Sequence, residues 1–513
     1  MGAAGLAVLI AAPGRLQRLA GLAAWALGAL LLALYLAPEG HRPLLVAAAV
    51  VGLALAIGGA ALFRRWAWLL PFVTVGCIPA RIHVTVGSTE ANLLVPLYGV
   101  VAAAAFLLAW ELWRLRGQGI QRELGIVTWP LATFVAWAGI SILWSGDVRQ
   151  GAIDLLFFYL PFGLLAVALA RLEWRRLWAF GLLVEVTALA LVFAAIGIYQ
   201  YETRDVFWNP KLLVANAYAP FYRVNSVFWD PSIYGRFLVV AILACLVTVL
   251  FGRDRRLLIG ATASIAAIWA GLFFSYSQSS FAALATGVVI ASIFAWGRRG
   301  AMIAVVAAAV AVGALAVPNV RHELFGNGRG LNTSTGGRGK LVRNGIKIAV
   351  HHPAGGVGIG DFKHAYAQVT HLKGREPKAA ASHTTPVTVA AETGVPGLLL
   401  YVWLLASGLL LAFRRFARDP AGLTALSCGL VFAAVGVHSL FYNAFFEDPT
   451  IWAALGLAAV ASGVVSSGSR DEPAQPAQLD REIEPERQQD QRVDGAQQDG
   501  AGQRDVERLP EHR

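Results

Sequence analysis

The feature that most limits how this chain can fold is its long apolar runs. Leu16–Ala37, Leu44–Phe63, Ala91–Trp113 and Pro386–Phe413 show no polar alternation. Each approaches or exceeds the roughly 20 residues that cross about 30 Å of hydrocarbon. In lipid only helices and closed barrels satisfy their own backbone polar groups, and unalternating runs of this length exclude a barrel. Composition agrees: of 513 residues, 57% are hydrophobic and 14% charged, against about 45–50% and about 25% in an ordinary soluble domain. The sequence therefore predicts an all-α, polytopic membrane protein.

Hydropathy places about fourteen spans, at 17–37, 44–63, 66–80, 91–113, 126–144, 152–170, 176–199, 232–251, 257–274, 278–296, 300–317, 386–413, 421–442 and 449–466. The third is short and carries Pro71 and Pro79, so it either crosses or re-enters. Alternate connections carry arginine clusters: Arg64/Arg65, Arg114/Arg116/Arg122, Arg171/Arg175/Arg176, Arg253/Arg255/Arg256, Arg298/Arg299 and Arg414/Arg415/Arg418. Short cytoplasmic loops hold the excess of basic residues, which puts both termini inside. The apolar run after Arg15 and Arg18 exceeds a signal peptide's core of about 7–15 residues, so an uncleaved anchor is expected. Cys77, Cys245 and Cys428 all fall in apolar runs and behave as small hydrophobes, with neither disulfide nor zinc pattern.

The organisation that follows is a bundle over 1–317 with eleven spans, a large outer loop at 318–385, three spans in 386–466, and a tail at 467–513. The tail's polar, aromatic-poor composition predicts disorder in the cytoplasm. An aromatic-rich outer segment, 200–231, is expected along the membrane interface. The large loop holds ten Lys/Arg against three acidic residues, plus six histidines. Long loops cross regardless of charge, so this basicity fits the topology and calls for an anionic partner.

Within that loop, Gly336–His352 reads as an amphipathic helix with Lys340, Arg343 and Lys347 in one stripe and Leu341, Gly345 and Ile348 on another face. Such a stripe suits either a phosphate-bearing lipid headgroup or general contact with anionic lipid. The glycine string that follows, with Gly356, Gly358 and Gly360, superficially matches a nucleotide loop. No strand precedes it, and it lies on the wrong side for cytoplasmic nucleotide, so a structural turn is the better reading. His383 stands just before a long span and is a candidate proton acceptor or an ordinary interfacial histidine. Glu392 lies too far along one straight helix to bond His383 and is expected to hold that helix to its neighbours.

Three stretches carry a resemblance. His383–Gly397, HTTPVTVAAETGVPG, has a histidine, a small polar residue, nine arbitrary residues and then Gly394-x-x-Gly397. This resembles the signature of the O-antigen ligase and O-antigen polymerase family, with Thr384 where the ligases usually show Asn, Ser or Gln. The stretch GGRGKLVRNGIKIAVHHPAGGVGIGDF is similar to the family's loop pattern at Arg338, His352, Pro353, Gly356, Gly358, Gly360 and Phe362, with Val342 in place of the usual tryptophan. YRVNSVFWDPSIYGRF matches at Arg223, Asp230 and Pro231. The usual Ser-Arg pair appears as Ser277–Gln278.

The resemblance implies a bacterial inner-membrane glycosyltransferase working without metal, nucleotide or other cofactor. It implies a glycan donor on a polyprenyl (undecaprenyl) diphosphate and an acceptor hydroxyl at the outer leaflet. Membrane lipids are the expected surroundings, with no nucleic acid partner. His383 would be the base and Arg223 and Arg338 the diphosphate ligands, with Arg343 and Lys340 added by position. Thr384, Glu392, Gly394, Gly397, His352, Gly356 and Gly358 would form the supporting motif. A polymerase of the same family is the alternative, and a transporter using Glu185 and His438 is the alternative from another class.

Overall fold

The computed structural model describes residues 1–463 apart from 38–39, 41, 87–88, 115–121, 208, 219–220, 303–304, 307–308, 310–337, 372–381 and 415. The helices are α1 (Gly2–Ala11), α2 (Arg15–Leu36), α3 (Arg42–Arg65), α4 (Leu69–Cys77), α5 (Val95–Arg114), α6 (Thr128–Ser141), α7 (Val148–Asp154), α8 (Leu160–Ala170) and α9 (Arg176–Thr203). They continue with α10 (Pro210–Tyr218), α11 (Pro231–Phe251), α12 (Arg255–Ser275), α13 (Gln278–Trp296), α14 (Arg338–His351), α15 (Phe362–Val369), α16 (Thr385–Phe413), α17 (Pro420–His438) and α18 (Pro449–Ala461). Among the described residues, ten helical segments are long and apolar enough to cross a membrane. The protein is an all-α polytopic membrane protein.

Local chemistry sets where many helices begin. Asp230, Asp419 and Asp448 each accept a bond from a first-turn amide and are each followed by proline at the first helical position. A capping carboxylate satisfies an orphan N–H, and proline has none to lose there. Asp147, Asp254 and Ser277 cap α7, α12 and α13 in the same way.

The apolar core falls into two groups. One is built from α1, α5, α6, α8, α16 and α18 around Leu97, Leu131, Leu160 and Trp452. The other gathers α9, α11, α12, α13 and α17 around Tyr234, Leu238, Leu272 and Leu430. The connections between helices meet in two groups. At one end, Arg18 and Arg171 both bind Glu123, Arg171 also reaches Glu111, and Arg418 meets Phe251 and the Ala295 carbonyl. At the other end, the connections around Trp144, Arg223, Ser277, Gly356, His383 and Ser439 touch one another. We call the latter the His383 face.

Several expectations change. Residues 82–93 form an antiparallel hairpin, Ile82–Val86 against Thr89–Leu93, so the fourth span starts after it and not at 91. The third span is only nine helical residues long and ends ahead of Pro79, which has no amide to continue the helical ladder. The chain start, not expected to be helical, forms α1, whose Gly2 and Gly5 pack closely on Gly28, Gly21 and Trp25 of α2. The aromatic segment is only partly interfacial. Leu213, Val214 and Tyr218 are exposed, but Val224, Asn225, Ser226 and Phe228 are buried in the bundle. Gln200 anchors that turn, accepting from the Asn225 and Ser226 amides and donating to the Ser226 carbonyl. The expected span 300–317 falls mainly outside the described residues, as does the tail.

Candidate active site on the His383 face

His383 sits in a turn with left-handed backbone, φ +64°. Such a conformation is uncommon for a residue with a side chain and persists only where surroundings enforce it. A hydroxyl network does so here. Ser382 Oγ donates to the Thr384 carbonyl at 2.8 Å and lies 2.8 Å from Thr388 Oγ1, while the Thr384 amide donates back to Ser382 Oγ at 3.2 Å. The Thr385 amide donates to the Ser439 carbonyl at 2.9 Å, tying the turn to the end of α17. Ser382, Thr384 and Thr388 are buried, which seats the half-buried His383 on a fixed base. The sequence showed the histidine but not this clamp, although the SHTTPVT string contains every hydroxyl in it.

The motif glycines turn out to join two segments. Gly394 breaks α16, with φ +70° and ψ −170°, a region open essentially to glycine alone. Pro396 follows and supplies no amide, so the carbonyls one turn earlier lose their helical partners. The glycine loop provides replacements. The Val357 amide donates to the Ala391 carbonyl at 2.9 Å and the Gly358 amide to the Glu392 carbonyl at 2.8 Å. In return the Val395 amide donates to the Pro353 carbonyl at 2.8 Å. A Cβ on Gly356 would collide with the Glu392 backbone, and one on Gly358 with Ser145. These glycines therefore belong to a structural joint, as the turn reading predicts. Gly397 packs against Thr393 and Trp137. His352 presents an exposed ring and contributes its carbonyl, which accepts from the Gly356 amide at 2.9 Å.

Glu392 accepts from the Phe362 amide at 3.4 Å, which fits its expected role of holding α16 to its neighbours. It also lines a cavity of about 90 Å³ beside the His383 turn, together with Gln150, Asp154, Thr385 and Glu447. A π-helical stretch, Leu155–Tyr159, between α7 and α8 brings Asp154 and Tyr159 to this cavity. The Thr385 hydroxyl is buried there without a hydrogen-bond partner. At the mouth of the loop, burial pushes the Asp361 carboxyl up, opposed by the Gly146 amide and by His364, whose Nδ1 lies 3.1 Å away.

Of the candidate cations, Arg223 is held firmly. Its Nε donates to the Ser275 carbonyl at 3.1 Å, and Asn216 brackets its backbone with bonds of 3.1 and 2.8 Å. Arg338 begins α14, and its side chain lies outside the described residues. Lys340, Arg343 and Lys347 are exposed, whereas Gly345 and Ile348 are buried against α15 and α16. The predicted two-faced helix is therefore present, docked by its small and apolar face.

Two further arginines were not singled out from sequence. Arg236 is 5% exposed, its Nε sits 2.6 Å from Asp448, and its Nη1 is buried without a partner. Arg81 lies close by, its pKa lowered by burial first and then by Arg236. Both line a small recess with Ile78, Phe237, Val240 and Thr450. Those four residues also line an apolar groove of about 330 Å³ that runs between α4, α9, α11, α17 and α18. The only sequence signal was an arginine, Arg236, inside an apolar run. The groove thus has a cationic head on the His383 face, an apolar body, and Arg176 at its other end.

The two residues of the transporter alternative are separate. His438 Nε2 lies 3.0 Å from Ser279 Oγ, a bond within the bundle, while Glu185 faces Gly76 with one oxygen buried and unpartnered. Among the described residues no group of His, Cys, Asp and Glu is arranged to hold a metal.

Residues 263–402 match the family model described as O-antigen ligase. The matched segment includes Arg338, the glycine loop, His383 and Gly394, and leaves out Arg223, Arg236 and Arg81. No curated protein matches the chain. Residues 263–402 of this multi-pass membrane protein are thus similar to the O-antigen ligase family.

Proposed function

We propose that this protein is a member of the O-antigen ligase family and transfers a glycan from a polyprenyl (undecaprenyl) diphosphate carrier to an acceptor hydroxyl on the His383 face. Arginine asymmetry assigns that face to the outside of the bacterial cytoplasmic membrane. The observation that carries the donor reading is the buried Arg236 guanidinium, with a donor unmet, at the head of an apolar groove. A buried cation with an unused N–H calls for an anion, and a forked guanidinium suits phosphate oxygens. The adjoining groove suits a prenyl chain.

In the transfer step the acceptor oxygen bonds to the anomeric carbon as the bond from that carbon to the diphosphate breaks. The electron pair leaves on the diphosphate, where Arg236 and Arg81, with Arg223 and the α14 cations Arg338, Arg343 and Lys340, offset the developing charge. The acceptor's proton goes to the His383 imidazole. Single displacement inverts the anomeric centre. Metal is not required, because the cations perform the charge stabilisation that a divalent ion would otherwise supply.

The test is transfer by purified protein from a defined sugar-diphosphate-polyprenol. His383→Ala should reduce turnover by about 10²–10⁴-fold with an unchanged melting temperature. Arg236→Lys should raise the donor KM and leave the acceptor KM alone. Wild-type turnover by His383→Ala removes the base assignment, and an unchanged donor KM in Arg236→Lys removes the clamp. Offering a second carrier-linked glycan and a non-carrier hydroxyl side by side separates polymerase from ligase chemistry.

A further inference from the structure

The opposite face of the bundle carries a second cavity that the transfer reaction does not use. It encloses about 690 Å³ where the ends of α3, α5 and α8 meet the starts of α4 and α9. Arg64, Arg65, Arg114, Arg171 and Arg175 line it, against two carboxylates, Glu111 and Glu173. Arg171 is committed to Glu111 and Glu123, and Arg175 to Glu173. Among the described residues no carboxylate pairs with Arg64, Arg65 or Arg114. The cavity therefore has an uncompensated positive wall.

Tryptophans hold that wall in place. The Arg64 and Arg114 guanidinium carbons lie 5.3 and 4.4 Å from the Trp110 ring centroid, and Arg65 lies 5.3 Å from Trp66. Stacking satisfies the face of a guanidinium and leaves its N–H edge free for in-plane acceptors. The floor is different in kind: Phe63, Leu70, Ala104 and Leu108 are all buried and apolar. A free phosphate or nucleotide has no use for such a floor. An amphiphile with a phosphate above and hydrocarbon below fits both parts.

We propose that this cavity binds the headgroup of an anionic phospholipid, such as a phosphatidylglycerol, from the leaflet opposite the transfer site. The arginine asymmetry makes that the inner leaflet, where basic pockets between spans are suited to anionic headgroups. The bound lipid would hold the ends of α3, α5 and α9 together across the cluster of like charges. This proposal uses none of the residues assigned to transfer, so it stands or falls independently of that reading.

The experiment measures lipid retained by the full chain, purified in uncharged detergent and examined by native mass spectrometry. Phosphatidylglycerol, phosphatidylcholine and glycerophosphate are the probes. Wild type should retain phosphatidylglycerol, release phosphatidylcholine, and show no displacement by glycerophosphate. Each basic residue near an anionic surface contributes about a fivefold factor. Arg64→Gln/Arg65→Gln/Arg114→Gln should therefore weaken retention by about 100-fold, and Arg114→Gln alone by about fivefold. The three arginines of another connection on the same face supply the control: Arg253→Gln/Arg255→Gln/Arg256→Gln should stay within about twofold of wild type. Equal loss in that control would show general surface attraction and overturn the proposal. So would undiminished retention in Arg114→Gln and the triple variant. Displacement by glycerophosphate would mark a soluble-anion site and overturn the lipid assignment. The single variant keeps the test readable if the triple variant folds poorly.

Discussion

Gly394→Ala tests whether the helix break and the glycine loop form one joint. Three separate effects add at this position. The backbone angles, φ +70° and ψ −170°, are strained for any residue with a Cβ, at a cost of about 1–3 kcal/mol. The new Cβ would stand 2.7 Å from the Pro353 carbonyl oxygen, 2.8 Å from the Gly356 amide and 2.9 Å from the Gly355 amide, all of them backbone atoms. If the loop retreats, the bonds from Val357, Gly358 and Val395 stretch together, each contributing about 1 kcal/mol. The local loss comes to about 4–6 kcal/mol. Hydrogen exchange is the direct assay, because those amides are protected only while the joint is closed. A loss of about 4 kcal/mol raises their opening about 1000-fold. Gly99→Ala is the control, since a Cβ there meets nothing within 4 Å. Unchanged protection of the Val357, Gly358 and Val395 amides in Gly394→Ala, with an unchanged melting temperature, would refute the joint.

Two shorter predictions follow. Burial pushes the Glu447 carboxyl up to about 7, with Arg81 and Arg236 opposing and Asp448 adding to the rise. Above that pH the ionised carboxylate competes with an incoming diphosphate for the two arginines, and below it the competition ends. Donor affinity should therefore rise as pH falls from about 8 to about 6, by about 1–2 kcal/mol for one charge about 8–16 Å away at an effective dielectric of about 20. Glu447→Gln should bind tightly throughout and lose this pH dependence; a dependence that survives the substitution excludes Glu447 as its source. On the opposite face, Glu123→Gln leaves Arg18, 1% exposed, without its carboxylate. Removing one partner of a buried pair costs about 3–5 kcal/mol, so the melting temperature should drop clearly, whereas Glu173→Gln at the exposed Arg175 pair should leave it nearly unchanged.

The sequence by itself determined that the chain is an all-α membrane protein with many apolar helices, and that a two-faced basic helix precedes His383. Those features are local. A helix in lipid satisfies its backbone from within, so hydropathy identifies it without reference to neighbours. The arginine alternation likewise needs only the order of spans, and α14 announced itself by a stripe of charge. What the tertiary structure alone decided is which buried groups meet. Arg81, Arg236 and Asp448 are far apart in the chain and come together only through the packing of α11 against the connections beside it. Gly394 and Gly356 read as a motif, but only the structure shows that one breaks a helix so that the other's loop can occupy the gap. The short α4 was obscured in the same way, by apolar residues that look alike in either conformation, whereas Ile82-His83-Val84-Thr85-Val86 carries the apolar–polar alternation of a strand. The reason is physical. In water, the polar side of a helix tells which side packs inward. In a bilayer both the lipid-facing and the protein-facing sides are apolar, so partner choice rests on close van der Waals fit and a few buried polar contacts, and neither leaves a periodic mark in the sequence.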